Sequence, residues 1–201
     1  KVRAAEFVSA CVRGNAEMLE RLAGPAARVE WIYHGVDLDR FDGRGRVRDA
    51  TPLILAVGRL SPPKGFDVLV RAVALLARRG ARVRLALVGD GPERGRLERL
   101  AAELGVTDRI EFVGALTHDA LRAWYARAWV LAAPSVVLSN GRRDGIPNVV
   151  IEAMAMGVPC VGTRAAGLEE AIVPGETGAL AEPGNAESLA DAIESLIETP
   201  A

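Results

Sequence analysis

LILAVGRLSPPKGFDVLVRAVALLARRGARVRLALVG, residues 53–89, is the stretch whose reading decides the fold. It opens with five apolar residues, 53–57, closed by a glycine, which read as a short buried strand. Residues 66–78 place Phe66, Leu69, Val70, Val73 and Leu76 at helical spacing. RVRLALVG, 82–89, is a second short apolar run. A strand, a helix and a strand joined by short Gly/Pro loops imply a right-handed βαβ unit. Strands that are apolar along their whole length imply a parallel sheet covered on both faces.

The alternation continues to the end of the chain. A helix is expected over 92–104, with Leu97, Leu100, Ala101 and Leu104 on one face, then a strand over 109–114 and a helix over 118–127. A strand over 129–135 follows, then a loop and a helix running from Pro147 to about 156. The remainder reads as a strand over 158–163, a short helix at 167–172, a strand over 178–183 and a terminal helix with Ala186, Leu189, Ala190, Ile193, Leu196 and Ile197 inward. The fold class is therefore α/β, a Rossmann-like doubly wound parallel sheet. Ligands of such sheets bind at the carboxyl ends of the strands, where the strand order reverses. The first 50 residues differ. They hold a strand-like start, a helix, a strand over 29–37 that runs into a Gly turn, and a polar Gly/Arg-rich stretch at 43–50 that reads as a linker.

Composition narrows the function. Half of the 201 residues are hydrophobic and the formal net charge is −1, which suits one domain or one domain plus part of another. The basic residues are scattered and only 4% of residues are aromatic, so nucleic acid is not an expected partner. No apolar run approaches the ~20 residues that span a bilayer. The chain begins at Lys1 without a signal-peptide pattern, as a trimmed segment would. Cys11 and Cys160 are single cysteines, and with only His34 and His118 beside them no familiar zinc constellation can be assembled.

Three loops that follow strands carry chemistry. GRLSPPKG, 58–65, fails the P-loop pattern, having Pro63 and Gly65 where Gly and Ser or Thr are needed. It still sets Arg59 and Lys64 around a rigid Pro-Pro turn at a helix start, which suits a diphosphate; the plain alternative is two solvated cations. GDGPERG, 89–95, misses the dinucleotide fingerprint by one residue, so Gly89 and Gly91 read as turn glycines and Pro92 as a first-turn helix residue. RRDGIPNVVIEAMAMG, 142–157, sets Asp144 in the loop and Glu152 inside an apolar helix. The N–H groups of residues 145–149 are the open donors of that helix start. Asp144 could serve only as a cap, but a bare carboxylate within VVIEAMAM is costly unless a partner satisfies it, which favours a ligand role for Glu152. A glycosidase carboxylate pair fits poorly, because nothing else suggests a sugar-polymer cleft.

In order along the chain, IYHGVDLDRF (32–41), AVGRLSPPKGFDVLVRA (56–72), LVGDGPERGRLERLAAELG (87–105), IEFVGAL (110–116), LAAPS (131–135), DGIPNVVIEAMAMGVPCVGTRAAGLEEAI (144–172) and GETGAL (175–180) resemble the donor-binding, C-terminal half of a retaining GT-B glycosyltransferase of family four. RDGIPN resembles the exopolysaccharide and capsule-type members. The resemblance implies that Arg59 and Lys64 bind the diphosphate of a UDP-, GDP- or ADP-sugar and stabilise the departing nucleoside diphosphate. It implies that Glu152 accepts from the ribose hydroxyls, and that Asp144, standing where the family's E-x7-E motif begins with Glu, contacts the transferred sugar. Gly145, Ile146, Pro147, Asn148 and Val149 would present main-chain groups to sugar and phosphates, and Gly114 and Leu116 would hold the base edge. No metal or other cofactor is implied.

By the same resemblance, residues 1–33 correspond to the tail of an N-terminal acceptor domain, 34–50 to a hinge and 51–201 to the donor domain. The acceptor would be a glycan or lipid-linked sugar, the isolated domain would be inactive, and the location cytoplasmic or peripheral at the inner membrane face. A nucleotide-sugar epimerase, a non-catalytic nucleotide-binding module and an NAD-type oxidoreductase are the alternatives.

Overall fold

The computed structural model describes residues 5–24, 28–142, 144–165 and 167–199. Arg143, beside Arg142 in the third loop, lies outside them. The chain begins with β1 (Val8–Ala10), α1 (Arg13–Ala23) and β2 (Val29–Trp31), then runs through β3 (Leu53–Val57), α2 (Phe66–Arg78), β4 (Arg84–Val88), α3 (Arg94–Glu103) and β5 (Ile110–Gly114). It continues with α4 (His118–Arg127), β6 (Val130–Ala133), α5 (Asn148–Ala155), β7 (Cys160–Thr163), α6 (Leu168–Ala171), β8 (Gly178–Ala181) and α7 (Ala186–Glu198). Strands β3 to β8 form one sheet in the order β5-β4-β3-β6-β7-β8, and every neighbouring pair is parallel. This is the doubly wound α/β sheet that the alternation predicts.

The period of two along β3 divides the core. Ile54 and Ala56 face a layer built from Leu69, Val70, Val73 and Leu76 of α2, Leu97 of α3, and Leu189 and Ile193 of α7. Leu53 and Leu55 face the opposite layer, with Leu121 and Tyr125 of α4, Val150 and Ala153 of α5, and Leu168 of α6. All four of these β3 side chains are buried, as a central parallel strand requires.

Element ends differ from expectation for local reasons. Pro92 lies ahead of α3, not in its first turn, because the Glu93 N–H is bonded to Leu60 O and the chain turns helical only at Arg94. Pro147 keeps an extended ψ of 132° and acts as the N-cap of α5; its carbonyl takes the first bond, from the Val150 N–H. β2 stops at Trp31 because its one neighbour, β1, ends at Ala10, whose carbonyl takes the last bond from the Ile32 N–H.

β1 and β2 form a separate two-stranded parallel sheet. This small βαβ unit leans on the large sheet through Val12, whose methyls fill the space where Gly145 and Gly167 lack side chains. The Glu170 carboxylate accepts from the Arg13 N–H at the start of α1, at 3.0 Å to each oxygen, and from the Tyr33 hydroxyl at 3.2 Å. Within the polar stretch 43–50, Arg46 donates to Ala128 O and Gly157 O, beyond the carboxyl ends of α4 and α5, where a cation is favoured. Asp49 pairs with Arg127 through two bonds of 3.0 and 2.9 Å. No helix among the described residues is long and apolar enough to cross a membrane.

Candidate functional site at the β3/β6 crevice

The strand order reverses between β3 and β6. The connection leaving β3 goes to α2 on one face; the connection leaving β6 goes to α5 on the other. The crevice between these two connections is where this architecture binds ligands.

The β3 connection is held rigidly. Gly58 N–H bonds to Val88 O and Leu60 N–H to Asp90 O, both at 2.9 Å. Gly89 and Gly91 allow this approach, because a Cβ on either would run into the carbonyl of Gly58 or Leu60. GDGPERG therefore braces the loop beside it and carries turn glycines, as read. Pro62–Lys64 form a short 3-10 turn ending at Gly65, in the left-handed region at φ 64°. Gly65 lies against Pro134 O, and Val136 N–H bonds to Pro63 O at 2.9 Å, so the two connections cross here.

That crossing brings together residues far apart in sequence. Lys64 Nζ stands 3.1 Å from Asp144 Oδ2, with the Lys side chain 18% and the Asp side chain 30% exposed. The Lys64 stem passes over Gly58. Asp144 Oδ2 is itself shielded from solvent and has no hydrogen bond, so the ammonium is its partner among the described residues. Arg59 is exposed on the same loop. The N–H groups of Gly145, Ile146, Asn148 and Val149 find no backbone acceptor among the described residues, leaving the α5 amino end open to an anion. Ile146 is buried, and Asn148 Oδ1 lies 2.6 Å from His34 Nδ1.

Glu152 is buried within α5. Tyr125, fully buried on α4, donates its hydroxyl to Glu152 Oε2 at 2.8 Å. Burial, and then the adjacent carboxylate, push the Tyr125 phenol well above its ordinary range. Glu152 Oε1 faces His118 Nδ1 at 3.7 Å. His118 begins α4, so the loop between β5 and α4, with Leu116 on it, shares this wall of the crevice. Gly114 closes β5 at φ 86° and its carbonyl accepts from Gly89 N–H at 2.8 Å. The candidates thus run in sequence around the crevice, from Lys64 and Asp144 through the α5 amino end to Glu152, with Leu116 and Gly114 beyond.

Tyr125 and His118 were not singled out from sequence. On its helix Tyr125 shares a face with Leu121, so it reads as core; the one available signal is a phenol opposite a carboxylate that needs a donor. A cavity of about 280 Å³ opens beside Asp144, walled by Val12, Arg164, Gly167, Glu169 and Glu170. The larger cavity, about 680 Å³, is lined by β1, α1 and residues 32–34 that follow β2, and meets the β6–α5 connection at Gly141 and Arg142. Among the described residues, no group of three or more His, Cys, Asp or Glu stands close enough together to hold a metal ion.

Known proteins share this chain's sequence pattern and fold. The family model for glycosyl transferases group 1 matches residues 51–199. The GDP-mannose-dependent alpha-(1-6)-phosphatidylinositol monomannoside mannosyltransferase of Mycolicibacterium smegmatis is 35% identical over 187 residues, covering 88% of this chain and 49% of that protein. The putative colanic acid biosynthesis glycosyltransferase WcaL of Escherichia coli is 33% identical, covering 86% of this chain and 43% of its own length. The chain spans about half the length of these curated relatives. Among solved structures, sucrose-phosphate synthase from Thermosynechococcus elongatus superposes with a TM-score of 0.86 at 31% identity, over 99% of this chain and 51% of that one. Anabaena HepE in complex with UDP-glucose superposes at 0.83 and 26% identity, over 98% and 55%. Its sequence and its doubly wound sheet together place this chain in the group 1 glycosyl transferases, with the GT-B type of fold.

Proposed function

We propose that this chain is the donor-binding part of a retaining glycosyltransferase that moves a sugar from a nucleotide diphosphate sugar to a glycan or lipid-linked acceptor. The observation that carries the reading is the meeting of Lys64 with Asp144 and the open α5 amino end at the β3/β6 crevice. An anion placed there meets the Lys64 ammonium and several N–H dipoles, fixed before it arrives, and the exposed Arg59 guanidinium on the same loop can reach toward it. Fixed donors of this kind favour charge that develops as the bond from the anomeric carbon to the diphosphate breaks. The electron pair leaves with the diphosphate, and Arg59, Lys64 and the α5 N–H groups receive the charge. The acceptor hydroxyl oxygen bonds to the anomeric carbon on the face the leaving group vacates, with retention, and its proton passes to the oxygen of the departing diphosphate.

Asp144 and Glu152 serve two ends of one extended ligand. Asp144 borders the small cavity, which takes the sugar, and Glu152 takes the ribose. Gly114 and Leu116 meet the base through main-chain groups. These groups hold only the donor, so transfer requires an acceptor-binding domain, and the 201 residues alone are inactive. Group 1 relatives and HepE are named for GDP-mannose or solved with UDP-glucose, which supports a UDP or GDP donor.

A thermal-shift panel of UDP-, GDP- and ADP-sugars and NAD tests this reading. One of the nucleotide sugars is expected to raise the melting temperature, and Lys64→Ala and Glu152→Ala are each expected to weaken its binding about tenfold or more. Stabilisation by NAD alone would reject the proposal in favour of an oxidoreductase.

A further inference from the structure

We propose that Tyr125 is a positioning residue that sets the preference of this site for ribonucleotides over 2′-deoxyribonucleotides. The inference rests on the reading that Glu152 receives the ribose. Glu152 sits on a helix whose neighbouring residues, Val150 and Ala153, are fully buried and apolar. Tyr125 gives Oε2 a neutral donor at 2.8 Å, and the same hydroxyl lies 3.4 Å from Val149 O. A neutral donor fixes the carboxylate without cancelling its charge. Oε1 is left toward the crevice, with His118 Nδ1 at 3.7 Å. Two vicinal hydroxyls can then donate, one to Oε1 and one to the second lone pair of Oε2. A deoxyribose offers one hydroxyl and leaves a buried acceptor unmatched.

Tyr125 is also poised to act only through Glu152. It is fully buried, so no ligand touches it, and it packs edge-on against Phe41 at 6.2 Å between centroids. Without its hydroxyl, Oε2 would face apolar side chains, and the carboxylate would swing out or take up a proton. Both responses spoil the match to a vicinal diol. Neither reaches Lys64 and Arg59, which hold the other end of the ligand.

Calorimetric titration of UDP against 2′-deoxy-UDP, and of GDP against 2′-deoxy-GDP, on the wild-type chain, Tyr125→Phe and Glu152→Ala tests the proposal. For the base that binds more tightly, the wild type is expected to prefer the ribonucleotide by on the order of tenfold. Both variants are expected to bring that ratio to within about twofold, through a larger loss for the ribonucleotide than for the deoxynucleotide, whose one hydroxyl also meets Glu152. A purely structural Tyr125 would lower the melting temperature and weaken both nucleotides alike, leaving the ratio intact. Should Glu152→Ala remove the preference and Tyr125→Phe not, the proposal fails and the ribose reading stands. Should Glu152→Ala leave the preference unchanged, or should neither diphosphate bind, the reading itself fails and the proposal with it. If Tyr125→Phe does not fold, 3-fluorotyrosine at position 125 in a Tyr33→Phe chain makes a stronger donor of the same shape. It is expected to widen the ratio relative to Tyr33→Phe, and an unchanged ratio overturns the proposal.

Discussion

At the scale of single residues, the site is organised by what each buried charge touches. Asp144 looks like a helix cap in sequence, but its shielded oxygen lies against Lys64 and caps no helix among the described residues. The pair holds the ammonium at the crevice before a donor arrives, and it places a negative charge beside the incoming diphosphate. Asp144→Asn removes that charge. Calorimetry is expected to show nucleoside diphosphate binding unchanged or a few-fold tighter, while the extra affinity contributed by the sugar of the intact donor is lost. Equal weakening toward both ligands would mean that Asp144 serves only to orient Lys64. The pairing itself was not legible in sequence, because eighty positions separate the two residues and only the crossing of two loops joins them. Glu152 was legible as a polar residue in an apolar run. Its partner was not, since Tyr125 has the spacing of a core aromatic.

At the scale of elements, the crossing depends on one glycine. Gly65 combines a left-handed φ of 64° with contact against Pro134 O. Gly65→Ala adds backbone strain of about 1–2 kcal/mol and forces the two connections apart. Urea denaturation is expected to show a loss of about 3 kcal/mol or more, accompanied by weaker nucleotide binding as Lys64 leaves Asp144. Asn185→Ala is the contrasting case. It removes the α7 cap, whose side chain accepts from the Glu187 and Ser188 N–H groups, at a cost of about 1 kcal/mol. The Asn185 cap follows β8 at the edge of the sheet, two strands from β6, so nucleotide affinity should not change. Most of the helices and strands could be read in advance, because β3, β4, β6 and β7 are buried along nearly their whole length and their helices carry clear inner stripes. Their ends could not, since bonds such as Glu93 N–H to Leu60 O come from a neighbouring loop.

For the whole molecule, the layer beneath the site holds two groups in their protonated forms. Burial pushes the Cys160 thiol up, and burial together with Glu152 does the same for the Tyr125 phenol. Both folded values lie above the ordinary values of 9.0 and 10.0 that apply when unfolded. Their contribution to stability is therefore complete below those values and is lost as pH rises through and beyond them. The urea midpoint is expected to be level from pH 7 to about pH 8 and to fall above about pH 9, with Cys160→Ala flattening the first part of the fall. A midpoint that rises with alkali would contradict the packing. The parallel, doubly wound character of the sheet was legible from the periodicity. The order β5-β4-β3-β6-β7-β8 was not, because periodicity says which faces are covered and not which strands are neighbours. That order is what makes one crevice of loops from distant parts of the chain, and the central claim concerns that crevice. The most direct test is a crystal structure of this chain with UDP or GDP bound, read for the position of the diphosphate. The account predicts it between Lys64, Arg59 and the N–H groups of Gly145, Ile146, Asn148 and Val149, with the ribose at Glu152. A diphosphate lodged in the larger cavity beside β1 and α1, or at Gly89–Gly95, would contradict it.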